Sequence, residues 1–140
     1  MSVDDARRHR LHEVLARGPT LRFAILFGSQ ARGDARSDSD VDIAIEPAQA
    51  LSAAAEDQLA LDLERAAGVH VDLVIVEHAS PRLRWRIARD GVVLLSDPPH
   101  AASRFLARAG IEHDSLRDLE HDAMRRFRAS VAGETPRATR

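Results

Sequence analysis

In the stretch VDIAIE (41–46) apolar and polar side chains alternate with the two-residue period of a β-strand. Val41, Ile43 and Ile45 share one face, and Asp42 falls on the other together with Asp40 just before it. Such a strand must lay one face on a core and hold two carboxylates ~6.6 Å apart along the backbone on the opposite face. Carboxylates this close repel each other unless a cation sits between them. Hard oxygen donors with no Cys or His among them suit Mg²⁺ or Mn²⁺.

The flanking sequence supplies the rest of a sheet. RFAILFG alternates in the same way and ends at Gly28, VHVDLVIV (69–76) puts Val69, Val71, Leu73 and Ile75 on one face, and VVLL (92–95) is short and apolar. Helical patterns separate these strands. Residues 3–17 begin with Asp4 and Asp5, place Leu11, Val14 and Leu15 on one face and stop at Gly18-Pro19. Residues 52–67 carry Leu59, Leu63 and Ala66 at helical spacing before Gly68, and PRLRWRIARDG (81–91) starts with Pro and ends with Gly. Beyond Asp97-Pro98-Pro99 the chain reads as helix interrupted at Gly110, with Leu116, Leu119, Ala123 and Phe127 in a stripe. The pattern predicts an α/β (α+β) fold, a small mixed sheet of about four strands with helices packed mainly on one face. A single domain over 1–132 and a disordered tail over 133–140 complete the expected organisation.

Composition removes several alternatives. All 20 basic residues are arginine, and the chain has no Lys, Cys, Tyr or Asn. Without Lys there is no Walker-type phosphate loop and no Schiff-base chemistry; without Cys there is no disulfide or thiolate site. A net charge of −2 offers no basic field for DNA or another polyanion. The apolar runs are far short of the ~20 residues that span a bilayer, and no signal-peptide pattern is visible, so the expected location is the cytoplasm.

A third aspartate joins the first two. Asp72 interrupts VHVDLVIV on the face opposite Val71 and Leu73, where a buried strand would not place it for packing. If that strand pairs with 41–46, Asp40, Asp42 and Asp72 form a cradle for two divalent ions. Upstream, Gly28 ends a strand and SQARG begins a turn, which offers free backbone N–H groups to an anion, with the Ser29 hydroxyl beside them. Asp34 and Asp38 remain in the intervening loop as bystanders.

Taken together, GSQARGDARSDSDVD is Gly-Ser, ten residues, then Asp-x-Asp. With Asp72 on a later strand, this resembles the DNA polymerase β-like nucleotidyltransferase superfamily. The likeness is strongest to the minimal nucleotidyltransferase (MNT) antitoxins that act beside HEPN toxins. Gly28, Ser29, Asp40, Asp42 and Asp72 match the family pattern one for one, and Ala31, Arg32, Gly33 and Ser39 match details of its loop. The resemblance covers roughly residues 10–98 and reaches the C-terminal helix only loosely.

The resemblance implies an ATP- and Mg²⁺-dependent reaction, with two ions (Mn²⁺ an option) held by Asp40, Asp42 and Asp72. An acceptor hydroxyl attacks the α-phosphate and pyrophosphate leaves. It also implies Asp72 as general base and Gly28, Ser29, Arg32 and Ser39 as nucleotide-binding residues; Arg32 and Arg36 either neutralise phosphate or are solvated. In the MNT antitoxins the acceptor is a tyrosine of the partner HEPN toxin, an RNase silenced by AMP; a chain without tyrosine cannot be its own acceptor of that kind. Two rivals are an antitoxin that neutralises by binding alone and a transferase acting on a small molecule or RNA end.

Other groupings carry less. Arg7 and His12 have a nuclease-like R-x4-H spacing but read as a solvated helix face. The two EHD triplets at 112–114 and 120–122 lie ~12 Å apart along a helix, too far for one ion. His70 shares a face with Asp72 and reads as a polar edge residue, and Trp85 as a core or partner contact. Ala24, Leu26, Val74 and Val76 are expected to make the carboxylate face partly apolar, covered by the C-terminal helix, a partner or both.

Overall fold

The computed structural model describes residues 3–33, 36 and 38–133. Helix α1 (Val3–Arg17) leads into strand β1 (Leu21–Phe27), the four-residue helix α2 (Ser29–Arg32), strand β2 (Val41–Pro47) and helix α3 (Ala53–Ala67). Strand β3 (Val71–Ile75), helix α4 (Pro81–Asp90), strand β4 (Val92–Ser96) and helix α5 (Ala101–Val131) follow. The four strands form one mixed sheet in the order β3-β2-β1-β4, with β1 antiparallel to both β2 and β4, and β2 parallel to β3. A parallel pair needs a crossover, and α3 provides it.

Local chemistry sets the helix ends. The Ser52 hydroxyl accepts from Ala55 N at 3.1 Å to open α3, and Gly68 closes it in the left-handed region at φ +76°. Ser80 opens α4 in the same way, accepting from Leu83 N at 3.2 Å. The third strand is shorter than its apolar run, because Val76 leaves the ladder into a 3₁₀ turn (Val76–His78) and drops into the core on the other side of the sheet.

Helices cover both faces of the sheet, which corrects the expectation that they pack mainly on one. Ala24, Leu26, Val41, Ile43, Ile45, Val71 and Ile75 face Leu11 and Leu15 of α1 and Leu59, Leu63 and Ala67 of α3. Phe23, Ile25, Phe27 and Ala44 face the opposite way, onto Ile87 of α4 and Ala102 of α5. Ala24 and Leu26 thus lie on the face away from Asp42. Every residue of β1 except Arg22 is buried, so period alone could not assign its faces. His12 fastens α1 to the sheet by donating Nδ1–H to the Leu94 carbonyl at 2.8 Å.

Helix α5 runs without a break through Gly110, contrary to the interruption expected there. Its first half covers the sheet: Phe105 meets Phe23 with ring centroids 5.1 Å apart, and Ala102 and Ala109 are buried. Against α4, Trp85 stacks on His113 at 4.1 Å, Arg84 pairs with Glu112 at 3.4 Å and Arg82 with Glu120 at 3.0 Å. The glutamates of the two EHD triplets are therefore ties to α4. Leu119, Met124, Phe127 and Val131 are exposed. The expected disordered tail falls outside the described residues except for Gly133.

Two glycines with opposite surroundings test this packing. A Cβ at Gly91 would strike the Ile87 carbonyl and come within 2.6 Å of Ile25 Cγ2, whereas one at Gly110 would meet nothing within 4 Å. Gly91→Ala is expected to lower stability by about 1–3 kcal/mol, and Gly110→Ala to raise it by about 0.5–1 kcal/mol through helix propensity. Urea unfolding of the two variants against wild type reads both signs.

Candidate functional site

The site is assembled where β1 ends and β2 and β3 begin. In the antiparallel ladder Asp42 lies opposite Phe27, and in the parallel ladder it lies opposite Asp72. Partners directly across a ladder project from the same face, so the two carboxylates stand side by side. Asp40 directly precedes β2, and Val41 is locked next to it by an N–H donated to the His70 carbonyl at 2.9 Å. The register thus brings together the three aspartates picked out by sequence. Asp72 is half-exposed rather than buried, because β3 is an edge strand; its run of apolar neighbours suggested otherwise.

Gly28 is the hinge between strand and turn. It is buried at φ +73°, and a Cβ there would collide with Asp42 Oδ2. Both the left-handed backbone and the close approach therefore require glycine. After it, Arg32 N–H returns to the Gly28 carbonyl at 3.2 Å and Gly33 N–H to Ser29 O at 3.1 Å, closing the short helix α2. A first helical turn leaves its leading N–H groups without helical partners, and Ser29 stands at that end.

The loop that follows is held by its own polar groups. Gln30 donates to the Ser39 carbonyl at 3.0 Å, and the Ser39 hydroxyl accepts from Arg36 N at 3.1 Å. Arg32 reaches across to Asp90 at the end of α4, Nη1 to Oδ2 at 3.1 Å, and Arg89 grips the same carboxylate at 2.9 Å. These two guanidinium groups hold the Asp90 carboxyl below its ordinary range, hydrogen bonding from Arg89 being the larger cause. Arg36 and Asp38 are exposed, and Asp34 lies outside the described residues.

Charge at the site is unbalanced. Burial raises the pKa of Asp42, the charge of Asp72 adds to this, Arg86 of α4 opposes it, and a hydrogen bond to Asp72 and the charge of Asp40 raise it further. Sequence reasoning passed over Arg86, whose position one residue before the buried Ile87 on a short helix was the available signal. His70, read from the sequence as a polar edge residue on the face of Asp72, stands at the site itself. The His70 ring places Nε2 2.9 Å from Asp72 Oδ1 and Nδ1 2.7 Å from Glu64 Oε1. Hydrogen bonding to Asp72 is the main reason its pKa is raised. Asp40, His70 and Asp72 can each present one ligand atom within 4.8 Å of the others. Crowded oxygen donors around a carboxylate under repulsion fit a divalent cation.

Residues 9–100 match the polymerase beta nucleotidyltransferase family. The chain belongs to that family. Over 95 residues, 68% of this chain and the whole of its relative, this nucleotidyltransferase is 30% identical to a proposed protein adenylyltransferase of Methanocaldococcus jannaschii. A chain from a toxin–antitoxin complex crystallised with AMP-PNP superimposes with a TM-score of 0.71 and 26% identity, over 87% of this chain and 98% of the other. A chain from the complex of a tri-AMPylated HEPN toxin with its MNT antitoxin, from Shewanella oneidensis, gives 0.62 and 25%, covering 87% and 99%. Among the described residues no helix is long and apolar enough to cross a membrane.

The raised pKa of Asp42 has a measurable consequence. An acid whose folded pKa is raised costs stability at neutral pH, and the cost fades as pH falls toward its unfolded value near 4. Asp42→Asn is therefore expected to raise the melting temperature at pH 7.5 in EDTA, with the gain shrinking as the pH approaches ~4. Thermal unfolding across that pH range checks both the sign and the trend.

Proposed function

We propose that this nucleotidyltransferase is a protein adenylyltransferase acting as an antitoxin in the cytoplasm. It would transfer AMP from ATP to a tyrosine hydroxyl of a HEPN toxin with which it forms a hetero-oligomer. The observation that carries the reading is the parallel β2–β3 register that sets Asp72 beside Asp42, one residue pair from a glycine kept open by that same Asp42. The likeness to a proposed protein adenylyltransferase and to a chain from a complex with a tri-AMPylated toxin supports it.

In this reading residues 1–132 work as one nucleotidyltransferase domain. Gly28 and the start of α2 receive the triphosphate, with the Ser29 hydroxyl as an added donor. Ser39 shapes the loop that flanks the nucleotide. Arg32 contributes by sharing its guanidinium between Asp90 and a phosphate oxygen. Asp40, Asp42 and Asp72 hold Mg²⁺, or Mn²⁺ in its place. Bound there, such ions neutralise the triphosphate and lower the pKa of the acceptor hydroxyl. Asp72, exposed and at the sheet edge, is the base that takes the acceptor's proton as the oxygen attacks the α-phosphorus and pyrophosphate departs. The tyrosine comes from the partner, since this chain has none.

Incubation of the chain with α-labelled ATP, Mg²⁺ and a HEPN toxin from the same genome is expected to label the toxin. Asp42→Ala should reduce the rate roughly 10²–10³-fold, the scale of removing a group that holds the catalytic ion. Mass spectrometry should find AMP on a toxin tyrosine. A toxin that is neutralised without carrying label would mean that the chain acts by binding alone.

A further inference from the structure

We propose that His70 is a nitrogen ligand of the divalent cation at this site, set in place by Glu64, and that it shifts the preference of the site from Mg²⁺ toward Mn²⁺. The inference rests on the metal-dependent reading above and deepens it. His70 sits two residues before Asp72, just ahead of β3, and its carbonyl is tied to Val41 N–H between Asp40 and Asp42. The backbone at His70 is thus part of the junction that positions the carboxylates.

The ring is clamped at both nitrogens, and the two partners differ in kind. Glu64 belongs to the last turn of α3, away from the aspartates in sequence, and its Oε1 lies 2.7 Å from Nδ1 and accepts from Val71 N at 3.3 Å. That contact holds Nδ1–H as donor, and in the protein alone Nε2–H donates to Asp72 Oδ1, 2.9 Å away. An arriving cation would displace that proton and take the Nε2 lone pair, already pointed at the carboxylates. Carboxylate, then Nδ1–H, then an Nε2 turned toward further carboxylates is the arrangement of a metal-ligating histidine with its orienting partner. One ring nitrogen of His70 lies within 4.8 Å of ligand atoms of both Asp40 and Asp72, and Nε2 is the one that faces Asp72. An ion there would take Nε2 in place of its contact with Asp72, with no rotation of the ring away from Glu64.

The consequence is chemical selectivity. Mg²⁺ keeps to oxygen donors and holds its waters, whereas Mn²⁺ accepts imidazole nitrogen more readily. A site of three carboxylates and one imidazole therefore binds Mn²⁺ better, relative to Mg²⁺, than the carboxylates alone. An ordinary ion pair at the sheet edge would anchor α3 to β3 and leave this ratio untouched.

The test uses the full chain with Mn²⁺ as probe, in the presence and absence of a non-hydrolysable ATP analogue. Electron spin echo spectroscopy of bound Mn²⁺ is expected to show modulation from a directly bonded nitrogen in wild type and none in His70→Ala. Calorimetric titration should give a Mn²⁺/Mg²⁺ affinity ratio about tenfold lower in His70→Ala, and Mn²⁺ affinity about tenfold lower in Glu64→Gln, the scale seen when an orienting partner is lost. Circular dichroism and the melting temperature confirm that both variants fold. Nitrogen modulation that persists in His70→Ala, or an unchanged ratio, would overturn the assignment of His70 while leaving three-carboxylate metal binding intact. Failure of wild type to bind either ion, even with the nucleotide analogue, would overturn the metal-site reading itself and this inference with it.

Discussion

Strand β2 is the constraint on which the rest of the structure depends. It pairs antiparallel with β1 and parallel with β3, and its apolar side chains are buried in the clusters on the two faces of the sheet. A one-residue slip would exchange faces and drive Asp42 into the core occupied by Ile43 and Ile45, so the register is held by the cost of burying a charge. That register is also what aligns Asp42 with Asp72. Packing and function therefore read the same alternation, and neither can be altered alone.

The same strand start illustrates how a site can stand against the preferences of the fold. Asp42 is partly buried beside two other carboxylates, and Gly28 at φ +73° gives up a side chain to make room for it. Each of these costs stability in the protein alone. Each is offset if a cation and an anionic ligand arrive together, since attraction then replaces repulsion around the same atoms. Strain of this sort has no packing explanation: the glycine is tight because of a carboxylate, and the carboxylate is crowded because of two more.

Much of this was legible in the sequence because alternation and glycine punctuation are local signals. The strands at 41–46 and 92–95, the helices at 3–17 and within 81–91, and the grouping of Asp40, Asp42 and Asp72 all follow from spacing within a few residues and one strand pairing. What escaped depended on contacts distant in sequence. β1 is apolar almost throughout, so its faces could be assigned only by the helices on each side, and Ala24 and Leu26 were placed on the wrong one. Gly110 lies within α5 because the first half of that helix is held by Phe105, Trp85 and Arg84 and needs no propensity at one position. His70 gained its meaning from Glu64, which belongs to a different element.

The distribution of cations bears on how such a site could handle a triphosphate. The chain has no lysine, and the arginine nearest the glycine turn, Arg32, is engaged by Asp90, which Arg89 also holds. Arg86 opposes the charge of Asp42 from α4, on the carboxylate side. Among the described residues, Arg36 of the loop is the further arginine beside this turn, and it is exposed. A fold that clusters carboxylates in this way gains most of its attraction for a polyanion from ions that it binds first or that arrive with the nucleotide. On the proposed reading, then, the acidic cluster is the route by which an acidic site binds an acidic substrate, and the order of charge follows from the side chains: carboxylates hold the cation, and the cation holds the phosphates.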